Sequence, residues 1–182
     1  GYGSKRYIFS AIEKNTKFGF SRMYKNNSSY SGRDFLLRLY WLVNKEKFYI
    51  QTDNGSEFGK FFDYTCKELG IEHYYSREKN PKDHAEIERF NKTLQEEFLQ
   101  LGNYTEDVDR FNYLLTEWLI EYNFRRPHQS LGYLTPIEFL CKKEKFDKNK
   151  NMCINKIDGN EKICKNIFNK KLLPMYPICT FI

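Results

Sequence analysis

The chain has 182 residues and a mass of 22.0 kDa, enough for one domain with a substantial hydrophobic core. Hydrophobic residues make up 40% of it and aromatic residues 18%, which excludes a chain that is disordered throughout. The formal net charge of +6 lies entirely near the C-terminus: residues 1–141 hold 20 basic and 20 acidic side chains, and residues 142–182 hold 10 and 4. We therefore divide the chain into a domain at 1–141 and a basic, Lys/Asn-rich extension at 142–182. Such an extension suits contact with DNA, although a solvated lysine-rich terminus has the same composition.

The cysteines and the apolar runs indicate an intracellular protein. The 5 cysteines form no Cys-x-x-Cys pair, so we expect reduced thiols rather than a disulfide framework or a zinc site. No apolar run approaches the roughly 20 residues that cross a bilayer, and no signal-peptide apolar region begins the chain. We expect a soluble protein without a membrane partner.

The first half of the chain alternates strand and helix patterns. The first two strands flank a polar turn, which predicts an antiparallel hairpin. The predicted elements are strands at 6–12 and 17–24, a helix after the Ser/Asn/Gly caps at 26–32, a strand at 47–51, a helix from Glu57 to Gly70, and a strand at 71–75.

The second half of the chain is helical. Asp83 and Glu86 resemble a capping pair at the start of a helix that carries Glu88, and a further apolar stripe covers residues 108–122. Thr135-Pro-Ile-Glu138 predicts a last helix, with threonine as the cap and glutamate as the reciprocal capping residue. A helix that joins two strands places them parallel, so the whole order predicts an α/β fold with a mixed sheet flanked by helices.

Two carboxylates stand out for their positions. Asp53 lies in Gln-Thr-Asp-Asn-Gly-Ser-Glu-Phe (51–58), where a strand ends in a turn, and Glu88 lies in the first turns of an amphipathic helix. Two acids so placed can converge on one divalent cation, the kind of ion that activates attack on a phosphodiester. Each acid also has a structural explanation: Asp53 can cap its own turn, and Glu88 can pair with Lys92 one helical turn later.

Three segments together resemble a known family. They are 51–58, Asp-His-Ala-Glu-Ile-Glu-Arg-Phe-Asn-Lys (83–92) and Tyr-Asn-Phe-Arg-Arg-Pro-His-Gln-Ser-Leu (122–131). They closely resemble the integrase-type catalytic core of bacterial insertion-sequence transposases, the DDE family, and the resemblance covers roughly residues 5–141. It implies a ribonuclease-H-like fold. The chain resembles that fold without its first, central strand, because residues 1–5 look like the turn that leaves this strand.

The resemblance implies an activity and a cofactor. Asp53 matches the second and Glu88 the third of the family's three catalytic acids, and both would bind Mg²⁺, for which Mn²⁺ can substitute. The implied enzyme is a polynucleotidyl transferase that carries out Mg²⁺-dependent cleavage and strand transfer in DNA transposition. Its partners would be mobile-element ends and target DNA, and it would act as a homo-oligomer at the nucleoid in the bacterial cytoplasm.

The resemblance also implies DNA-binding residues. Lys92, with Asn91 and Gln95 beside it, would face the DNA backbone, and Arg125 and Arg126 belong to the family's C-terminal signature. A purely structural role, in which His128 and its neighbours hold a loop, is slightly preferred for that last segment.

The chain departs from the family in the first acid. No acid precedes Glu13, and Glu13 lies where relatives carry a non-catalytic residue, so we do not assign it the missing role. His84 near the third acid is read as loop variation rather than as a metal ligand. We therefore expect the 182-residue chain alone to be inactive. The alternatives are a non-catalytic transposase remnant that binds DNA or a full-length partner, and a ribonuclease-H-like nuclease, which the segment at 122–131 disfavours.

Overall fold

The computed structural model describes residues 5–43, 48–76 and 81–146. Strand and helix alternate up to α3, and helices make up the rest of the described chain. The elements are β1 (Tyr7–Ile12), β2 (Gly19–Tyr24), α1 (Ser29–Leu42), β3 (Tyr49–Thr52), α2 (Phe61–Leu69), β4 (Glu72–Tyr75), α3 (Pro81–Leu94), α4 (Val108–Phe124) and α5 (Pro136–Phe146). α5 crosses the proposed boundary at 141/142, and residues 147–182 of the basic extension lie outside the described part.

The four strands confirm the predicted directions. β1 and β2 pair antiparallel, from Tyr7 opposite Tyr24 to Ile12 opposite Gly19. β3 and β4 pair parallel because α2 carries the chain back between them. Within the described ranges these strands form two separate two-stranded sheets, one antiparallel and one parallel.

Two helix ends follow the predicted signals. Gly70 ends α2 with a left-handed φ of 67°, which only glycine adopts without strain. Thr135 and Glu138 form the reciprocal cap of α5: the backbone N–H of each donates to the side chain of the other, at 2.9 and 3.2 Å.

Two predicted helix starts are wrong. A short 3-10 turn at Ser56–Phe58 follows Gly55, and α2 begins only at Phe61 instead of Glu57. α3 begins at Pro81, two residues before the predicted cap Asp83, because proline has no N–H to lose at a helix start and its fixed φ suits the first turn. α3 then continues into a π-helical segment, Gln95–Asn103.

The hydrophobic core has two parts. The larger part lies between the β1–β2 hairpin, α3 and α4, and the smaller part lies between α1, α2 and the β3–β4 pair. The buried members of the larger part are Met23, Phe90, Leu94, Phe98, Phe111, Leu115, Leu119 and Tyr122. Those of the smaller part are Leu36, Phe62, Cys66 and Ile71. Each candidate acid thus lies beside its own part of the core.

Two buried asparagines of α4 cover the outer edge of β2. Asn112 accepts from the N–H of Met23 at 2.8 Å and donates to its carbonyl at 3.1 Å. Asn123 does the same for Gly19, at 2.9 and 2.8 Å. The two amides replace the hydrogen bonds of a neighbouring strand, so α4 protects an edge that would otherwise present unpaired backbone groups.

Two further observations concern the cysteines and the helices of the described part. Cys66 and Cys141 are free thiols. None of the helices within 5–43, 48–76 and 81–146 is long and apolar enough to cross a membrane.

Candidate metal-ion and DNA-binding site

Asp53 directly follows β3 at the carboxyl end of the strand. Its side chain is exposed, and Oδ1 accepts a hydrogen bond from the backbone N–H of Gly55 at 3.0 Å. This bond is the turn-capping contact that the sequence also allowed. It occupies one carboxylate oxygen, so the same residue can cap the turn and offer its other oxygen to a cation.

Glycines let a second carboxylate pack onto the Asp53 loop. A Cβ on Gly55 would lie 2.6 Å from Cδ of Glu57 and 2.7 Å from both of its carboxylate oxygens. On the other side, a Cβ on Gly32 of α1 would lie 2.4 Å from the carbonyl oxygen of Glu57. Asn27 also donates to Oε2 of Glu57 at 3.2 Å. The loop between β3 and α2 is therefore held against α1, with the Glu57 carboxylate beside the turn of Asp53.

Glu88 lies on the exposed face of α3. Its neighbour Phe90 is only 1% exposed and packs into the larger part of the core, which fixes the helix face that carries Glu88. The alternative ion pair with Lys92 does not form: Lys92 instead reaches Glu96 at 3.8 Å, an exposed pair that contributes little to stability. Among the described side chains Glu88 has no hydrogen-bond or ion-pair partner, so its carboxylate is available to a ligand.

The candidate DNA-binding residues of α3 share that face. Asn91 and Lys92 follow Glu88 by three and four residues, and Gln95, the first residue of the π-helical segment, follows them by four and three, which places all four on one side of the helix. All four are exposed, whereas Phe90 and Leu94 point into the core. The fold thus arranges one carboxylate, one lysine and two side-chain amides in a single polar stripe.

Arg126 takes part in the fold rather than in an open surface. Its guanidinium donates to both carboxylate oxygens of Glu97, at 2.9 and 2.6 Å, and lies 5.9 Å from the centre of the Tyr122 ring. Arg125 is exposed and reaches Glu121 at 3.2 Å. Of the two arginines, Arg125 is therefore the one that can also turn towards DNA.

His128 supports the loop interpretation of the same segment. Its ring packs edge-on against Tyr122, with the ring centres 4.8 Å apart, and its backbone N–H donates to the carbonyl of Leu134 at 3.0 Å. Burial lowers the pKa of the His128 imidazole below its ordinary value. A buried imidazole that resists protonation stabilises the turn before α5.

Glu13 has a structural role, as the sequence suggested. Its carboxylate accepts from the backbone N–H of Thr16 at 2.5 Å and of Asn15 at 3.1 Å, which holds the turn between β1 and β2. The side chains of Asp83 and His84 lie outside the described part.

The donors present suit a hard cation such as Mg²⁺. Asp53 at the end of β3 and Glu88 on α3 offer carboxylate oxygens, and oxygen is the ligand atom that Mg²⁺ prefers. No hydrogen bond or ion pair joins the two residues. Within residues 5–43, 48–76 and 81–146, no group of three His, Cys, Asp or Glu side chains could hold a metal ion. The assignment of Asp53 and Glu88 to two of the resembled family's three acids therefore stays a prediction.

The sequence did not reveal one polar network beside this site. His73 of β4 connects Asp63 of α2 to Thr52, the residue before Asp53. His73 and Asp63 are 10 residues apart and Thr52 is a further 21 from His73, so no local pattern announced the contact. The only available signal was polar residues inside a short strand and a short helix.

Comparisons with known proteins agree with the fold that the sequence resemblance implied. A model of the integrase core domain matches residues 69–136, which include Glu88 and α4. The crystallised catalytic core domain of BIV integrase has a similar fold: the TM-score is 0.62 at 22% identity, over 81% of this chain and 93% of that one. Residues 69–136 are thus similar to an integrase core domain, and the chain shares its fold with an integrase catalytic core, the ribonuclease-H-like fold that the sequence resemblance implied.

Two of the similar proteins come from insertion elements. The chain is 33% identical over 91 residues to an uncharacterized 39.2 kDa protein of insertion element IS476 from Xanthomonas euvesicatoria, covering 50% of this chain and 26% of that protein. It is 29% identical over 91 residues to the transposase for insertion sequence element IS904 from Lactococcus lactis, covering 50% of this chain and 36% of that transposase. The chain therefore spans about a quarter to a third of these relatives.

Proposed function

We propose that the chain is the catalytic core of a DNA transposase, in which Asp53 and Glu88 bind a divalent cation for phosphodiester cleavage and strand transfer. The observation that carries the proposal is the state of the two acids. Asp53 directly follows β3 and Glu88 lies on α3, each within a family motif. Both are exposed, and Asp53 keeps one oxygen and Glu88 both oxygens free of described partners. Acids that served only the fold would be expected to use their oxygens in it, as Glu13 does.

The cation is Mg²⁺, with Mn²⁺ as a substitute. When bound, it offsets the charge that develops on the phosphate oxygens and on the attacking and leaving oxygens. The chain's own residues have simpler tasks. The N–H of Gly55 orients one oxygen of Asp53, and the loop packed on α1 keeps Asp53 in place. The buried ring of Phe90 sets the helix face that carries Glu88.

The polar stripe of α3 is the proposed DNA-binding surface. Lys92 would contact a phosphate, and Asn91 and Gln95 would donate or accept at the sugar–phosphate backbone beside it. Arg125 extends this set, whereas Arg126 stays with Glu97. These contacts carry no base readout, so they fit binding that is independent of sequence.

Substitution of the two acids tests the metal role. Asp53→Asn and Glu88→Gln keep the side-chain size but remove the negative ligand, and they are made in the chain together with any coding sequence directly upstream. Since a metal contributes several kcal/mol to such a reaction, we expect each variant to lower Mg²⁺-dependent nicking of labelled DNA by at least about 100-fold. DNA binding at fixed salt should change little.

Glu96→Gln is the matched control, because Glu96 is an exposed carboxylate two turns along the same helical stretch. It should cleave like the unmodified protein. Near-normal nicking by Asp53→Asn or Glu88→Gln would refute the assignment. DNA binding without nicking, in the unmodified protein and its variants alike, would favour the non-catalytic remnant.

A salt titration tests the stripe. Lys92→Gln should flatten the slope of log affinity against log salt by about 0.9 for duplex DNA, the change expected for one phosphate contact. Lys67→Gln, an exposed lysine of α2, should leave the slope unchanged. Equal slopes for both variants would show that Lys92 is not part of the DNA-binding surface.

A further inference from the structure

A chain of hydrogen bonds crosses the smaller part of the core. Nδ1 of His73 lies 2.5 Å from Oδ1 of Asp63, and Nε2 lies 2.8 Å from Oγ1 of Thr52. The His73 side chain is only 6% exposed, so both ring nitrogens depend on these protein partners. The three residues come from α2, β4 and the end of β3.

The Asp63 end of this hydrogen-bond network is held by two hydrogen bonds and two ring contacts. A carboxylate can only accept, so Nδ1 of His73 carries a hydrogen and donates it. The second oxygen of Asp63 accepts from the hydroxyl of Tyr75 at 3.0 Å. The rings of Phe62 and Tyr75 pack against the imidazole, with centres 5.1 and 4.5 Å away. His73 therefore has one orientation.

The other end of the hydrogen-bond network reaches the backbone of Asp53. Oγ1 of Thr52 donates its one hydrogen to the carbonyl oxygen of Asp53 at 2.9 Å, so towards Nε2 of His73 it can only accept. The backbone N–H of Ser76 donates to the carbonyl of Thr52 at 2.7 Å. Thr52 is 8% exposed, whereas the Asp53 side chain lies in solvent. The buried Thr52 at the end of β3 thus anchors the exposed Asp53 that follows it.

We propose that His73, oriented by Asp63, is a positioning residue for Asp53 and acts through the Thr52 hydroxyl. The inference rests on the proposed function, because it assigns the network to the candidate metal ligand. Without it, the backbone after β3 would be fixed by the strand pairing, the short turn at Gly55 and the packing of the loop on α1, none of which contacts the Asp53 carbonyl in the hydrogen bonds described above. With it, the carbonyl and therefore the side-chain direction of Asp53 are set from the interior. Groups behind a ligand commonly set its direction in this way.

A purely structural role makes a different prediction. If the network only satisfied buried polar groups, its removal would lower stability and leave the geometry of Asp53 unchanged. The amide of Gly55 separates the two cases, since its hydrogen bond to Oδ1 of Asp53 reports where that carboxylate lies. This readout needs neither metal nor activity.

The variants change single contacts. Thr52→Val keeps shape and strand propensity but removes the hydroxyl, and Thr52→Ser keeps the hydroxyl. Asp63→Asn removes the acceptor charge from a residue that lies 10 positions from His73 and does not touch Asp53. Thr65→Val is the matched control: it removes a buried threonine hydroxyl of α2 that bonds only the carbonyl of Phe61, at 2.8 Å.

Amide exchange and NMR shifts of Gly55 are measured in each folded variant, with unfolding curves as the record of stability. Thr52→Val and Asp63→Asn should make Gly55 exchange about tenfold faster, the factor expected for losing a typical hydrogen bond. Thr52→Ser and Thr65→Val should leave it within about twofold. An unchanged Gly55 amide in Thr52→Val and Asp63→Asn, whatever their stability, would overturn the proposal.

Binding of Mn²⁺, followed by the electron paramagnetic resonance of the free ion, adds a second readout. Thr52→Val should weaken it about 10- to 100-fold, and Thr52→Ser should restore it. Mn²⁺ binding that is equally tight in Asp53→Asn, Glu88→Gln and the unmodified chain would refute the proposed function instead. The Gly55 amide would still decide whether the network positions Asp53.

Discussion

Gly19 has no room for a side chain, and its replacement by alanine perturbs the helix that carries Glu88. A Cβ at this position would lie 2.4 Å from Cε2 and 2.7 Å from Cζ of Phe90, and 3.1 Å from Cε1 of Tyr122. Neither the two aromatic rings nor the backbone of Gly19 can move easily. Phe90 is 1% exposed and Tyr122 is 4% exposed, and both backbone groups of Gly19 are bound by Asn123.

The magnitude follows from these constraints. Overfilling a packed core costs about 1–3 kcal/mol, and the contact distances at Gly19 place this site at the upper end. Alanine recovers about 0.4–1 kcal/mol by restricting the unfolded chain. We therefore expect Gly19→Ala to lower the free energy of unfolding by about 2 kcal/mol, or Tm by about 4–8 °C for a domain of this size.

Urea unfolding at constant temperature provides the measurement, with Gly59→Ala as the control. A Cβ on Gly59 would meet only the carbonyl oxygen of Ser56, at an ordinary 3.6 Å, and its φ of −90° suits any residue. Phe90→Leu added to Gly19→Ala should cost less than the two changes summed, because the smaller side chain leaves space for the new methyl. If Gly19→Ala unfolds like Gly59→Ala, or the double variant shows no coupling, the packing argument is wrong.

Two further predictions concern α4 and the turn after it. Asn123→Ala leaves the N–H and carbonyl of Gly19 buried without partners, so it should lower the free energy of unfolding by about 2–4 kcal/mol; a loss under about 0.5 kcal/mol would contradict the edge-covering role. Because burial lowers the pKa of His128 below 6.5, the unfolded chain binds the proton more readily, and stability should fall as the pH drops below about 6.5. Unfolding curves at pH 7.5 and 5 should show a smaller difference in His128→Gln, and an equal difference would show that other groups cause it.

Local signals in the sequence were sufficient for most elements. The hairpin, the left-handed Gly70 and the cap of Thr135 and Glu138 all depend on residues close together in the chain, and each is confirmed. The starts of α2 and α3 were misplaced because several residues near each start can begin a helix, and the packing of the loop decides among them.

The amino-acid sequence by itself determined the order of strands and helices, and it predicted the two candidate acids Asp53 and Glu88, because periodicity, caps and short motifs depend on neighbouring residues. Only the tertiary structure decided that Arg126 is bound to Glu97 and that His73 reaches Thr52. These pairs lie 29 and 21 residues apart, and many other partners were compatible with the same pattern. Which of them meet depends on how helices and sheets pack, since burial excludes water and requires each polar group to find a partner within the protein.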